Sequence, residues 1–231
     1  MGEGDPRSLL KRNLRSSIFV SSVKQNACGG TVVEIWIRTN EAEDVAGSIR
    51  HAIRVADFVR EDPQAWKWAA LALHSALQSA CVSHLTTTFA PLGAVTDRNA
   101  REWIAYIEDQ RTNPNAKPPE TNLMALPDLL KAVRKPNSAG DSSNNLGVGI
   151  SDSELNWLCR FHKTIRNEFV HFEPKQWAIE VSGIPEIAKL IARIIEDILE
   201  QGWAFRHQGS AWHEETRRNL QTLASLAWPK P

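Results

Sequence analysis

The sequence predicts a mainly α-helical protein with a small two-stranded β element, and the spacing of its apolar residues carries that prediction. Most of the chain repeats apolar residues every three or four positions, which is the spacing of one face of an α-helix. Two short stretches, 31–38 and 177–181, have the alternating pattern of a β-strand and could pair with each other. A chain of 231 residues is long enough to bury a full core in one domain.

The N-terminal part begins without a clear period and then becomes helical. Residues 1–30 contain Gly, Ser and scattered Lys and Arg, so we expect a partly mobile segment; 31–231 has no linker or repeat and is expected to form a single α-helical domain. Residues 41–60 have the apolar spacing of an amphipathic helix. Asp62 and Pro63 suit the N-cap and first position of a second, alanine-rich helix, which we expect at the centre of the core.

Further helices and loops are predicted in the rest of the chain. Short helices are expected over 97–110 and 126–133, separated by a proline-rich loop. Residues 135–149 are rich in Ser, Asn and Gly, which is typical of a mobile surface loop or of a functional flap. Two more helices are predicted near the C-terminus, a strongly apolar one over 183–199 and an amphipathic one over 210–228.

Composition and charge limit the classes of function. The 27 basic and 27 acidic residues cancel, which argues against a long nucleic-acid track and leaves room for a small local site. No apolar run approaches the roughly 18 residues that span a membrane, and the first residues do not resemble a signal peptide, so we expect a cytoplasmic protein. The 3 cysteines are widely spaced and predict neither a disulfide framework nor a zinc site. We therefore expect no metal and no cofactor.

One predicted helix, over about 151–172, carries the residues that suggest chemistry. It starts with a capping-box pattern and contains Arg166, Asn167 and His171. An arginine is a permanent cation that can hold a phosphate in a bidentate geometry, and a histidine exchanges protons near neutral pH. Together they would suffice for phosphodiester cleavage without a metal. The dipeptide Arg-Asn recurs in the chain, but only here does a histidine follow the Asn by four residues.

A helical wheel of about 100° per residue divides this helix into two faces. The apolar face predicts burial in the core, and it comprises Leu155, Leu158, Phe161, Ile165, Phe169 and Phe172. The polar face lies opposite and comprises Asn156, Arg160, Lys163, Asn167 and His171, with Arg166 at the border of the apolar face. Arg160 and Lys163 are therefore candidates for binding nucleic acid, although any solvent-facing amphipathic helix also has a polar face.

These features resemble the HEPN superfamily of α-helical domains. The resemblance rests on Arg166-Asn167-x-x-x-His171 on a late helix, which follows an alanine-rich helix containing WAALALH at 68–74, and it covers about 41–201. It implies a HEPN-like helical bundle, frequent homodimerisation and, in many members, metal-independent RNA endonuclease activity in which the Arg and His of two domains face each other. Carried over to this chain, it nominates Arg166, Asn167 and His171 as catalytic residues.

Three classes of function remain open. The first is a HEPN-type ribonuclease of a toxin or defence system, which would act on single-stranded RNA and have an antitoxin or another protein as its partner. The second is a catalytically silent HEPN-like dimer that binds a partner, and the third is an unrelated helical interaction protein. On a regular helix Arg166 and His171 point about 140° apart, so activity is expected to need the second copy of a homodimer.

Two further histidines have predictions of their own. His74 and Gln78 share a helical face, so they could support the site or belong to a hydrogen-bonded pair in the core or at an interface. His162 lies toward the apolar face of its helix and is expected to be a core histidine with a hydrogen-bond partner.

Overall fold

The computed structural model describes residues 18–25, 31–170, 178 and 180–229, with the backbone alone for 18–25, 31–35 and 164–167. The chain divides into two compact units, Met1–Asn40 and Glu41–Pro231. It is mainly α-helical with a small β element, which confirms the fold class that the apolar spacing predicts.

The described part of the first unit is an antiparallel β-hairpin. Strand β1 (Ile18–Gln25) pairs with β2 (Thr31–Ile37), and the register shifts between Val20 and Ser22. Such a shift is a bulge, which bends a strand and increases its local twist. Because the two strands follow each other in the chain, their pairing closes only a short loop and costs little entropy.

The strand predicted at 31–38 is confirmed, but its partner is not the expected one. Within 177–181, the residues Ala178, Glu180 and Val181 lie outside any strand, and the other two fall outside the described residues. The adjacent strand β1 pairs with β2 instead, because a partner about 140 residues away would require a far longer loop to close.

The first unit extends to Asn40, beyond the end of the segment 1–30 that we expected to be partly mobile. Pairing with β1 places β2 in this unit, so the helical unit begins at Glu41 rather than at residue 31. Strand β1 lies inside the segment 1–30, and the expectation for its remaining residues falls outside the part of the chain that the structure describes.

The second unit consists mainly of helices. In chain order its elements are α1 (Glu41–Ala56), α2 (Ala65–Leu85), α3 (Asp97–Gln110), α4 (Leu126–Val133), α5 (Asp152–Arg160), a π-helical segment (Phe161–Arg166), α6 (Asn167–Val170), α7 (Ile184–Glu200) and α8 (Ser210–Ser225). Helices α3 and α4 begin and end at the predicted residues. Helix α2 begins at Ala65, after a turn in which the Asp62 carboxylate accepts the backbone N–H of Gln64 at 2.8 Å.

Helix α2 is the central helix of the core, as its alanines predict. It packs against α1, α4 and α7, and small side chains let helix axes approach closely. Its inward face is buried and comprises Ala69, Leu73, Ala76, Leu77 and Ala80. Facing it, α7 contributes the fully buried side chains of Ile191, Ile194, Ile195 and Ile198.

The loop at 135–149 is a packed part of the fold and not a free flap. The Nε2 atom of His84, near the end of α2, lies 2.9 Å from the Ser138 hydroxyl, and the backbone N–H of Gly140 donates to the His84 carbonyl at 2.9 Å. Inside the loop, the buried Asn144 side chain accepts the backbone N–H of Ala139 at 2.6 Å. Gly140 fits because a Cβ there would lie 2.1 Å from the Thr86 carbonyl oxygen.

A half-buried carboxylate joins α1 to α2 and gives a first prediction. Asp44 accepts the hydroxyls of Ser75 at 2.8 Å and Ser79 at 2.7 Å. Asp44→Ala leaves both hydroxyls without this acceptor and should lower the free energy of unfolding by about 1–3 kcal/mol. Denaturant unfolding measures the change, with Asp57→Ala, which removes an exposed carboxylate beyond the end of α1, as the control. Equal midpoints for the two variants would show that the Asp44 bonds add no net stability.

Candidate functional site

The start of the motif helix is fixed by the predicted capping box. The Ser151 hydroxyl accepts the backbone N–H of Glu154, and the Glu154 carboxylate accepts the backbone N–H of Ser151 at 2.8 Å. Glu154 also pairs with Arg193 of α7 at 2.9 Å. The Ser151 backbone N–H, with smaller help from the Ser151 hydroxyl and from Arg193, holds the pKa of the Glu154 carboxyl below its ordinary value. These contacts fix the first turn of the helix against α7.

A single regular α-helix was predicted over 151–172, but the motif helix changes its hydrogen-bonding pattern in the middle. Helix α5 ends at Arg160, the π-helical segment covers Phe161–Arg166, and α6 continues from Asn167. In a π-helix each N–H bonds the carbonyl five residues earlier, so a π turn inserts one residue and shifts every later face. The wheel of 100° per residue therefore holds through Arg160 and not beyond it. Short π segments inside α-helices are frequent at functional sites.

The apolar face of the motif helix packs into the core wherever its side chains are described. Leu158 and Phe161 are buried, and Leu155 and Phe169 are partly buried against the core. The Ile165 side chain and all of Phe172 lie outside the described residues. Among the described side chains, the predicted apolar residues therefore face the core both before and after the π-helical segment, although the angles of the wheel shift there.

The structure brings together three of the residues that were predicted on the polar face. Asn156, Arg160 and Lys163 are exposed and, with the half-buried Cys159, line an open depression of about 540 Å³. Cys159 joins them although the wheel did not place it on the polar face. Its sulfur can approach a ligand, but it is flanked by cations rather than by a general base.

The nominated catalytic residues follow Lys163 in the sequence, and the structure describes less of them. Arg166 is the last residue of the π-helical segment and Asn167 the first of α6; for both, only the backbone is described. His171 lies outside the described residues. Arg160, Lys163 and Arg166 therefore follow one another along a single continuous helix.

The electrostatic environment of the depression is cationic. Among the residues that the structure describes, no carboxylate forms an ion pair with Arg160 or Lys163. At the start of the same helix, in contrast, Asp152 pairs with Arg134 at 2.6 Å. Two exposed cations that are not occupied by carboxylates can bind an anion such as a phosphate.

His162 of the π-helical segment forms a pair with a histidine of α2. His74 of α2 is 5% exposed, and its Nε2 atom lies 2.8 Å from Nδ1 of His162. The two rings stack with their centroids 5.1 Å apart. Both expectations of a hydrogen-bonded histidine are confirmed, but His74 bonds His162, 88 positions away, rather than Gln78. No local pattern could have identified that partner.

The hydrogen bond between His84 and Ser138 runs in the wrong direction for nucleophilic catalysis by the serine. The Ser138 hydroxyl donates to the Val133 carbonyl at 2.9 Å, so it must accept the proton of His84 Nε2. A serine nucleophile would instead have to donate its proton to the histidine. Burial lowers the pKa of His84 to about 4, against the opposing effect of Asp197 and Asp141. This pair holds the 135–149 loop in place.

Within the described parts of the chain, no helix has both the length and the apolar character needed to cross a membrane. In the same residues no cluster of three or more His, Cys, Asp or Glu side chains could hold a metal ion. Comparison with family models, with curated proteins and with solved structures found no match to this chain.

Proposed function

We propose that this chain is a HEPN-type RNA endonuclease that works without a metal, with Arg166 and His171 acting at the scissile phosphate of single-stranded RNA. One observation carries the proposal: the helix that bears the motif also presents Arg160 and Lys163 to solvent, free of ion pairs with the described carboxylates, on the way to Arg166. An RNA backbone that lies along this helix would contact the cations Arg160 and Lys163 before it reaches Arg166.

The chemistry uses the nucleophile that RNA carries itself. One His171 of the homodimer takes the proton of the 2′-hydroxyl, and the other, in its protonated form, gives a proton to the leaving 5′-oxygen, since an imidazole can do either near neutral pH. The 2′-oxygen attacks phosphorus, the bond to the 5′-oxygen breaks, and a 2′,3′-cyclic phosphate and a 5′-hydroxyl form. Arg166 binds the non-bridging oxygens and stabilises the charge that builds on them. Asn167, four residues before His171, orients the imidazole or a phosphate oxygen.

Arg160 and Lys163 bind the phosphates next to the scissile one. Both side chains are exposed, so their attraction for RNA is screened by salt and contributes to substrate binding more than to turnover. The absence of a net positive charge fits a protein that binds a few phosphates at one place.

The active form is proposed to be a symmetric homodimer with the motif helix at or beside the interface. Val170, in the last turn before His171, is an apolar side chain that is 47% exposed. A partner chain would cover it and would bring a second Arg166 and His171 to the same cleft. Analytical ultracentrifugation at micromolar concentration should show a dimer, and a monomer under those conditions would contradict this assembly.

Cleavage should be specific for RNA and should continue in a chelator. Because the 2′-hydroxyl is the nucleophile, the 5′ fragment should end in a 2′,3′-cyclic phosphate, and single-stranded DNA of the same sequence should stay intact. Mass spectrometry of the fragments, with and without EDTA, measures both expectations. Equal cutting of the DNA, or loss of RNA cleavage in EDTA, would contradict the mechanism; RNA binding without cleavage would favour the silent binding module.

We further propose that the protein acts in the cytoplasm as part of a toxin or defence system, with an antitoxin or another protein as its partner. Cys81 and Cys159 are free thiols, which suits a reducing compartment. Co-purification of the product of an adjacent gene, together with loss of RNA cleavage on its addition, would support the partner.

A further inference from the structure

A hydrogen bond between two histidines joins the π-helical segment to α2 in the core. Phe161 and His162 are consecutive, yet both contact the ring of His74. The centroid of the His74 ring lies 6.4 Å from that of Phe161 and 5.1 Å from that of His162. On a helix, consecutive side chains diverge by about 100°. A rotation of the segment would therefore remove at least one of these two contacts.

The hydrogen bond between the rings selects one arrangement of the segment. At 2.8 Å, one imidazole must donate an N–H to the bare nitrogen of the other. Apolar side chains tolerate small rotations because dispersion contacts have no direction, whereas a ring nitrogen without a partner in the core is costly. The pair thus distinguishes the π-helical arrangement from a regular α-helix of the same sequence.

The arrangement of the segment determines where the motif lies. The start of α5 is anchored to α7 through Glu154 and Arg193. The extra residue of the π turn therefore shifts the residues that follow the segment and not those that precede it. A return to regular α-helix would rotate Arg166 and α6 by about 100° about the helix axis. Arg166 is the last residue of the segment, four positions after His162.

We propose that His74 and His162 are positioning residues, which hold the π-helical segment in register and thereby set the place of Arg166 relative to the scissile phosphate. The inference rests on the proposed ribonuclease function only for its catalytic consequence. Neither histidine touches the RNA in this proposal, and neither exchanges a proton with it.

The test compares two replacements of His162 in the full chain. His162→Leu fills the site without a polar atom, whereas His162→Asn places an amide atom where Nδ1 lies and can restore the bond to His74. Hydrogen–deuterium exchange of the amides in 161–170 should become roughly 3- to 10-fold faster in His162→Leu, the factor expected from one lost hydrogen bond. In His162→Asn the exchange should return toward the wild-type rate. His51→Leu, which removes an exposed histidine from α1, is the control.

Kinetics provide the second measurement. A displaced Arg166 should lower kcat by about 10- to 100-fold. KM should change less than kcat, because Arg160, which lies before the segment, keeps its place. The Asn variant should recover most of kcat. A simple loss of packing would instead affect Leu and Asn variants alike.

The outcomes separate this inference from the proposed function. Unchanged exchange in His162→Leu, or equal exchange and equal kcat in the Leu and Asn variants, would overturn the positioning role. If the wild-type protein cleaves no RNA, the ribonuclease proposal fails, and the exchange of residues 161–170 alone decides whether the pair holds the segment. If His162→Leu does not fold, the same comparison between His74→Gln, which retains an amide near Nε2, and His74→Leu decides it.

Discussion

We expect His171→Ala to lower RNA cleavage by roughly 10²- to 10⁴-fold, the loss that follows when a proton-transferring group is removed from the transition state. The substrate 2′-hydroxyl is a weak nucleophile unless a base takes its proton, and the leaving 5′-oxygen is a poor leaving group unless an acid supplies one. Without His171, water must take the proton of the 2′-hydroxyl and supply the proton to the 5′-oxygen. Single-turnover cleavage of a labelled RNA measures the change without interference from product release.

Arg166→Ala should have an effect of similar size through a different cause. The guanidinium stabilises negative charge on the non-bridging oxygens, which is greater in the transition state than in the bound substrate. Arg166→Lys keeps the charge but loses the planar, two-pronged geometry, so it should recover only part of the rate. Arg160→Ala is the matched control: it removes an exposed cation of the same helix and should weaken RNA binding modestly while leaving turnover nearly unchanged.

Stability measurements on the same variants distinguish chemistry from structure. Arg166, Asn167 and His171 are predicted to lie off the apolar face that packs into the core, so none of the substitutions should cost more than about 1 kcal/mol of unfolding free energy. Cleavage by His171→Ala at the wild-type rate would contradict its catalytic role. Severe unfolding of that variant would instead assign the motif a structural role.

Local chemistry made much of the helical unit predictable. Helices α3 and α4 are bounded by signals that act within a few residues, such as the Thr96 hydroxyl that accepts the Asn99 N–H and the Pro127 near the start of α4. The capping box at Ser151 works in the same way. The apolar face of α7 is continuous enough for periodicity alone to place it.

Long-range choices were not predictable from such signals. The preference of β2 for β1 over 177–181 depends on the cost of closing a loop, which the alternating pattern of the strands does not encode. The π-helical segment Phe161–Arg166 contacts α2, which is distant in sequence, and its own residues also suit a regular α-helix. The candidate site was therefore predictable in its residue types and in its exposed cations, but not in the rotation of the helix that carries it.

Of the described histidines, His84 gives the prediction with the largest effect on stability. It lies at 0% exposure near the end of α2, with Nε2 bonded to Ser138 and Nδ1 buried without a partner among the described residues. A buried imidazole with a bare nitrogen is stable only while neutral. Burial accordingly lowers the pKa of His84 from 6.5 to about 4. Protonation of Nδ1 would place a charged N–H in the core without an acceptor, so the folded protein resists it.

The lowered pKa sets the direction of the pH dependence. Between about pH 6.5 and pH 4 the unfolded chain holds a proton on His84 that the folded chain lacks, so lowering the pH favours unfolding. The contribution of His84 is fully present above about pH 6.5; roughly 2 kcal/mol of it should be lost by pH 5 and at most about 3 kcal/mol by pH 4. Below that the folded protein is protonated as well, and the loss stops.

Denaturant unfolding at pH 7.5 and pH 5 should therefore show a smaller difference for His84→Gln than for the wild type, by about 2 kcal/mol. Glutamine can keep the donor to Ser138 but does not titrate, so the comparison removes the proton and retains the hydrogen bond. Carboxylates that titrate in the same range contribute equally to both proteins and cancel. His51→Gln, which replaces an exposed histidine, should keep the wild-type pH dependence. If His84→Gln instead loses as much stability as the wild type on going to pH 5, then His84 takes up its proton without unfolding, and the loop it holds must be able to open to water around Nδ1.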